Sequence, residues 1–363
     1  MRRVASPGAR LRKRPAAACA ALALAWPGGG CSEPAGTLYL TSGASDAIVV
    51  LDARDGAHRG NIPLDRRPGE LDEPHGIEVS PDGRHLYATL AHGEPSLWKF
   101  ELPSNRLVGR LSLGMAGAAR VGVSPDGSTG YVPDFERGSG GLPGEVVAVD
   151  LVDLRITARA RPCAGPHDAR PDPTGATLAI ACSLSDEVVF LDPVTLAERG
   201  RAAAGAAPGA PGSPRYRPLN LAWIGPDLLA VTLAGSSEVL VLDRDGAERA
   251  RVAVGDHPAE IAEDARSGRL VVANRGDGTA SILRSDTFAE EARVDLAVEH
   301  PHGVAVDPET GTAYVSYEGP VEGAGGAVAL DIRTGRVAWR SPAGYYTLGV
   351  AFAAHRAGTL AGR

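Results

Sequence analysis

The chain has 363 residues, with 44 acidic against 37 basic side chains for a formal net charge of −7. An acidic surface repels phosphate backbones, which argues against nonspecific nucleic-acid binding. Forty-six glycines and 28 prolines suit many short strands joined by turns, and no helical period of useful length runs through the body of the chain.

The first 15 residues carry Arg2, Arg3, Arg10, Arg12, Lys13 and Arg14 without an acid, and residues 16–26 form an apolar run too short to span a bilayer. This is the pattern of a secretory signal. Cleavage fits either after Ala25, where Ala23 and Ala25 satisfy a small-x-small rule, or before Cys31. There Gly28, Gly29, Gly30 and Cys31 resemble a bacterial lipoprotein box, although Gly28 stands where a branched apolar residue is usual. Removing residues 1–30 takes six positive charges with it, so −7 becomes −13. The expectation is an exported chain, periplasmic or at the cell surface, lipid-anchored at Cys31, with residues 31–36 as a linker. Of the cysteines left, Cys163 and Cys182 suit a disulfide in an oxidising compartment, and acylation accounts for the odd Cys31. A Cys/Cys/His metal site with His167 is the alternative for that pair.

From residue 37 onward one unit recurs. Residues 74–87, PHGIEVSPDGRHLY, join an alternating apolar run to a tight SPDG turn and a second apolar run, which predicts a hairpin. Related turns stand at 123–127, 171–175 and 306–311, with weaker copies at 223–227 and 263–268. A second marker, an apolar triplet ending in Asp, repeats in step at Asp52, Asp150, Asp192, Asp243 and Asp331. Intervals of roughly 40 to 50 residues are those of four-stranded propeller blades.

Taken in order, residues 37–63 supply three strands of a first blade that lacks its inner strand. Blades two to seven occupy 75–113, 118–162, 167–204, 219–254, 259–296 and 302–341. A Pro/Gly/Ala-rich insertion at 203–218 reads as a loop. Residues 345–354, YYTLGVAFAA, have the alternation of the missing strand. The predicted fold is all-β: a seven-bladed β-propeller of four-stranded antiparallel sheets over residues 37–354, closed when the C-terminal strand joins blade one, with residues 355–363 as a tail.

LVVANRGDGTASIL at 270–283 resembles the YVTN β-propeller repeat, and LYATL (86–90), GYVPD (130–134) and AYVSY (313–317) are looser copies. The resemblance covers nearly all of the chain after residue 30. It implies an exported, seven-bladed, lactonase-like propeller; similar propellers include lactonases, lyases and large subunits of redox complexes.

Blade topology sorts the loops. Turns from first to second and third to fourth strand share one rim, short and regular; the long segments 133–145, 203–218 and 318–326 fall on the other. His75, His167 and His302 each follow a proline at the start of an inner strand, in blades two, four and seven. They predict three imidazoles at the mouth of the central channel, with His92 and His257 flanking it and Arg120 and Asn220 adding a cation and an amide. Two uses compete with plain packing. One is a binding site for an envelope protein or a small anionic or sugar-like ligand. The other is a divalent metal on His75, His167 and His302 for a lactonase- or lyase-type reaction. A role as accessory subunit of a periplasmic redox complex rests on fold analogy alone. No GxSxG, Gly-Lys phosphate loop, HExxH or CxxCH motif is present. The expected assembly is a monomer that meets the membrane only through the lipid anchor, with no cofactor beyond that metal.

Overall fold

The computed structural model describes residues 36–64, 69–136, 141–320 and 323–355. The segment expected to be a secretory signal, Cys31 and the residues from 356 onward lie outside them. The described residues form seven four-stranded antiparallel sheets arranged as a propeller. All sheets but the first run inner to outer in chain order. The first takes its inner strand, Thr347–Ala354, from the far end of the chain and sets it beside Gly36–Ser42. In that pairing Gly36 faces Ala354, Leu38 faces Phe352 and Leu40 faces Val350.

Successive side chains of a strand point to opposite faces, and here both faces are buried by neighbouring blades. In blade one, Tyr39, Ile48 and Val50 pack toward Ile77, Leu86 and Trp98 of blade two. Their sequence neighbours Leu38, Leu40, Val49 and Leu51 pack toward Tyr314, Ala327 and Ala329 of blade seven. The pattern repeats, giving an apolar cluster at every junction between blades. That is why runs such as LLAVTL (Leu228–Leu233) lack polar alternation. The outermost strands, such as Arg106–Ser112, are largely exposed.

A second device fixes the inner strands. Thr89 Oγ1 accepts the N–H of Gly76 in its own blade (2.8 Å) and donates to the carbonyl of Ala119 in the next (2.5 Å). Thr232 and Ser316 make the same bridge, and Thr41 joins the N–H of Gly349 to the carbonyl of His75. The bridge needs close approach: a Cβ on Gly76 would stand 2.6 Å from Arg120 Cα. Glycine after histidine in the PHG wording is therefore a packing requirement of the next blade.

The loops that break this regularity are 134–142, 204–217 and 318–325, between the strand ends Pro133, Ala203 and Tyr317 and the strand starts Pro143, Pro218 and Gly326. Blade three departs most from expectation. Its inner strand is reduced to Gly122–Val123, and Ala118 makes only an isolated bridge to Asp134. Cys163 and Cys182 are joined by a disulfide, Cα–Cα 5.9 Å, tying the outer strand of blade three to blade four.

Thr89→Val keeps shape but strands the Gly76 N–H and the Ala119 carbonyl in a buried site. The expected loss is about 1–3 kcal/mol, read as a lower urea midpoint at unchanged slope, with Thr89→Ser retaining most of the stability.

Candidate functional site

Three inner strands begin alike: Pro74–Val79, Pro166–Pro171 and Pro301–Asp307. Each opens with proline, which fixes φ, and sets a histidine next. The three imidazoles meet at the irregular rim. His75 lies 6.2 Å from His167 and 6.3 Å from His302 between ring centroids. Phe135, from the long loop of blade three, stacks on His75 at 5.2 Å and meets His167 edge-on at 6.2 Å. His92 stands beside the same phenyl ring at 6.4 Å.

Hydrogen bonding leaves this cluster incomplete. His167 Nδ1 lies 3.2 Å from the Leu219 carbonyl, so it carries the proton and leaves Nε2 as an acceptor. His75 is 8% exposed, and both of its ring nitrogens are buried without a hydrogen-bond partner, as is Nδ1 of His302. Glu73 Oε1 is 3.6 Å from His75 Nδ1, an ion-pair distance rather than a hydrogen bond. The other oxygen of Glu73 lies 3.2 Å from His92 Nε2. Burial, then the neighbouring His75, lowers His167 to about 4, and burial with both neighbouring imidazoles holds His302 well below the ordinary value. These two rings are therefore neutral at physiological pH. Around them stand carboxylates. Burial pushes Glu73 up, but His75 and His92 outweigh it and hold the group low. Glu136 reaches His92, and Glu318 is taken by Arg275 at 2.6 Å. Tyr346 is 42% exposed, and burial, then Glu318 and Glu73, raises its hydroxyl.

The other candidates sit elsewhere. Arg120 lies deeper in the channel, its guanidinium paired with Glu260 and 3.9 Å from Asp168. Asn220 donates to the Ala259 carbonyl at 2.8 Å, linking blades five and six. His257 lies between blades five and six beside Arg215 and Arg217, in a separate pocket. Among the described residues, no group of three or more His, Cys, Asp or Glu is arranged to hold a metal ion. The cysteines that a Cys/Cys/His site would need are bonded to each other.

Sequence reasoning missed the layer beneath the histidines. Arg170 pairs with Glu78 at 2.9 Å and Asp168 at 3.1 Å, and with Arg120 and Glu260 forms a buried ionic layer. Burial pushes Asp168 up, but Arg170 and Arg120 outweigh it and hold the carboxyl low; burial raises Glu260 against the same two cations. Below this layer a cavity of about 650 Å3 is lined by inner-strand residues of the blades and by Ser80, Pro81 and Pro308 of the short turns. The regular rim, expected to hold only short and regular turns, thus also carries a concavity. The available signal was register: Arg120 and Glu260 each follow the position that holds histidine in other blades, and Asp168 follows His167 itself.

No family model and no curated protein matches the chain. Among solved structures it is similar to a functionally unknown protein from Desulfotomaculum acetoxidans, with a TM-score of 0.71 at 13% identity, covering 88% of this chain and 99% of that one. It is also similar to a putative 6-phosphogluconolactonase from Bacteroides fragilis (0.64, 13% identity, 88% and 98%) and to Kuenenia stuttgartiensis hydrazine synthase (0.62, 18% identity, 77% and 89%). Likeness at such identity shows the fold, a seven-bladed β-propeller.

Two outcomes test this site. Arg120→Met leaves Glu260 buried without its nearest cation and should cost about 3–5 kcal/mol in urea unfolding, while Arg120→Met with Glu260→Leu should recover most of the loss. His167 and His302 are depressed in the folded chain, so below an ordinary imidazole value of about 6.5 the unfolded chain binds more protons. Their contribution is complete above that value and is lost as the pH falls toward the folded values. Stability should drop by up to about 1.4 kcal/mol per pH unit for each ring, and His167→Gln should flatten the slope measured by urea midpoints.

Proposed function

We propose that this protein is an exported ligand-binding propeller that takes a neutral, hydroxyl-rich small molecule of sugar-like chemistry at the histidine mouth. The observation that carries the reading is the cluster itself: three imidazoles from three blades, with the ring nitrogens of buried His75 lacking a hydrogen-bond partner. Buried polar groups in native proteins are nearly always paired, and an unpaired one costs about 1–3 kcal/mol. A ligand hydroxyl both donates and accepts, which suits ring nitrogens in either role. The ring of Phe135 supplies an apolar face beside these polar groups. An anion is the weaker fit, because Arg120 is paired with Glu260 and carboxylates surround the mouth. The long loops on this rim support an envelope protein as the alternative occupant. The residues before 32 support export with a lipid anchor at Cys31.

A second reading, a metal-assisted lactonase or lyase, has only the convergence of the three imidazoles behind it, and among the described residues no group of three or more ligating side chains is arranged to hold a metal ion. The Bacteroides fragilis neighbour lends it only a shared fold.

Thermal-shift titration with a panel of mono- and disaccharides tests the first reading. At a hundredfold excess over Kd a true ligand stabilises the folded chain by about 2.7 kcal/mol. Wild type should respond to at least one sugar, and folded His75→Ala/His302→Ala protein should not. No response across the panel overturns the proposal. Stoichiometric zinc on elemental analysis, lost in the same variant, would transfer the site to the second reading.

A further inference from the structure

The irregular rim holds a second concavity, of about 590 Å3, between blades four, five and six, and the sequence marked only one of its residues, His257. Its wall is the Pro/Gly/Ala-rich insertion, which is firmly held. Asp186 is 1% exposed, and its carboxylate accepts four backbone N–H groups: Gly209 (2.8 Å), Arg215 (2.7 Å), Tyr216 (2.9 Å) and Arg217 (2.8 Å). The Gly212 N–H donates to Leu184, and the Ala234 and Gly235 N–H groups donate to Arg217 and Tyr216. The Tyr216 ring lies within 5.6 Å of both the Arg215 and Arg251 guanidiniums. The backbone that carries Arg215 and Arg217 is therefore fixed before any ligand arrives.

Both arginines line the pocket and are exposed, and among the described residues neither guanidinium has a carboxylate partner. Arg251, close by, is paired with Glu238 and Glu248. The single acid in the lining is Asp256, whose Oδ1 accepts from Ser237 Oγ. Burial, then Arg217 and Arg275, lowers His257, so this imidazole is a neutral donor held in a positive local field.

We infer that Arg215 and Arg217, with His257 beside them, form a site for the oxyanion group of a small molecule. Guanidinium forks match the spacing of carboxylate and phosphate oxygens and bind them through charge-assisted hydrogen bonds. On a chain of net charge −7 this concavity is locally cationic. The site goes beyond the histidine mouth and shares no residue with it.

Calorimetric titration of the folded protein at low ionic strength tests the assignment, using sulfate, inorganic phosphate and glucuronate as separate probes. At least one should bind wild type; preference for phosphate or for glucuronate distinguishes a phosphoryl from a carboxylate ligand. Binding should fall at least about tenfold, worth about 1.4 kcal/mol, in Arg215→Ala/Arg217→Ala. It should persist in Arg333→Ala, which removes an exposed charge on the opposite rim, and in His75→Ala/His302→Ala. Undiminished binding in the double arginine variant, equal loss in Arg333→Ala, or no binding of any probe to wild type overturns the site.

Discussion

Everything in this molecule depends on apolar contact between neighbouring sheets. Each blade is buried on two faces, so a single blade exposes too much apolar surface to stand alone, and stability belongs to the ring. The alternation of side chains along each strand divides the burial between the two neighbours, as Leu38 and Tyr39 show. Closure is part of the same constraint. Without Thr347–Ala354 blade one would lack its inner strand, and the edge of Gly36–Ser42 would lie open.

Packing of this kind positions chemistry without supplying it. Threonine and serine bridges set the heights of inner strands from different blades, and three histidines from distant parts of the chain consequently reach one level. One level down, the same register brings two arginines among carboxylates, and their mutual pairing divides the channel electrostatically. The mouth above is left with imidazoles and acids. The opposing layers therefore have different chemistry although their residues are sequence neighbours, as His167 and Asp168 are.

The repeat was legible in the sequence because turns and apolar runs are local signals. SPDG and the Asp-ending triplets mark strand ends directly, and the alternation at residues 345–354 revealed the closing strand. The place of His75, His167 and His302 followed from register. What escaped was set by contacts across blades. Nothing local to Arg120 says that it pairs with Glu260 rather than reaching the mouth. Nothing near Phe135 says that it covers histidines from other blades. The insertion at 203–218 looked unstructured because it buries little, yet one carboxylate from the preceding blade organises its backbone. Buried acids of this kind act at long range in sequence, and composition does not display them.

The pairing of Gly36 with Ala354 also gives the ring a direction. The second strand of a blade starts beside the short turns, so the chain enters the propeller, and leaves it, at the regular rim. The histidine mouth and the arginine pocket therefore open on the rim opposite the one where the described strands begin and end, while the cavity among the short turns shares that end of the ring.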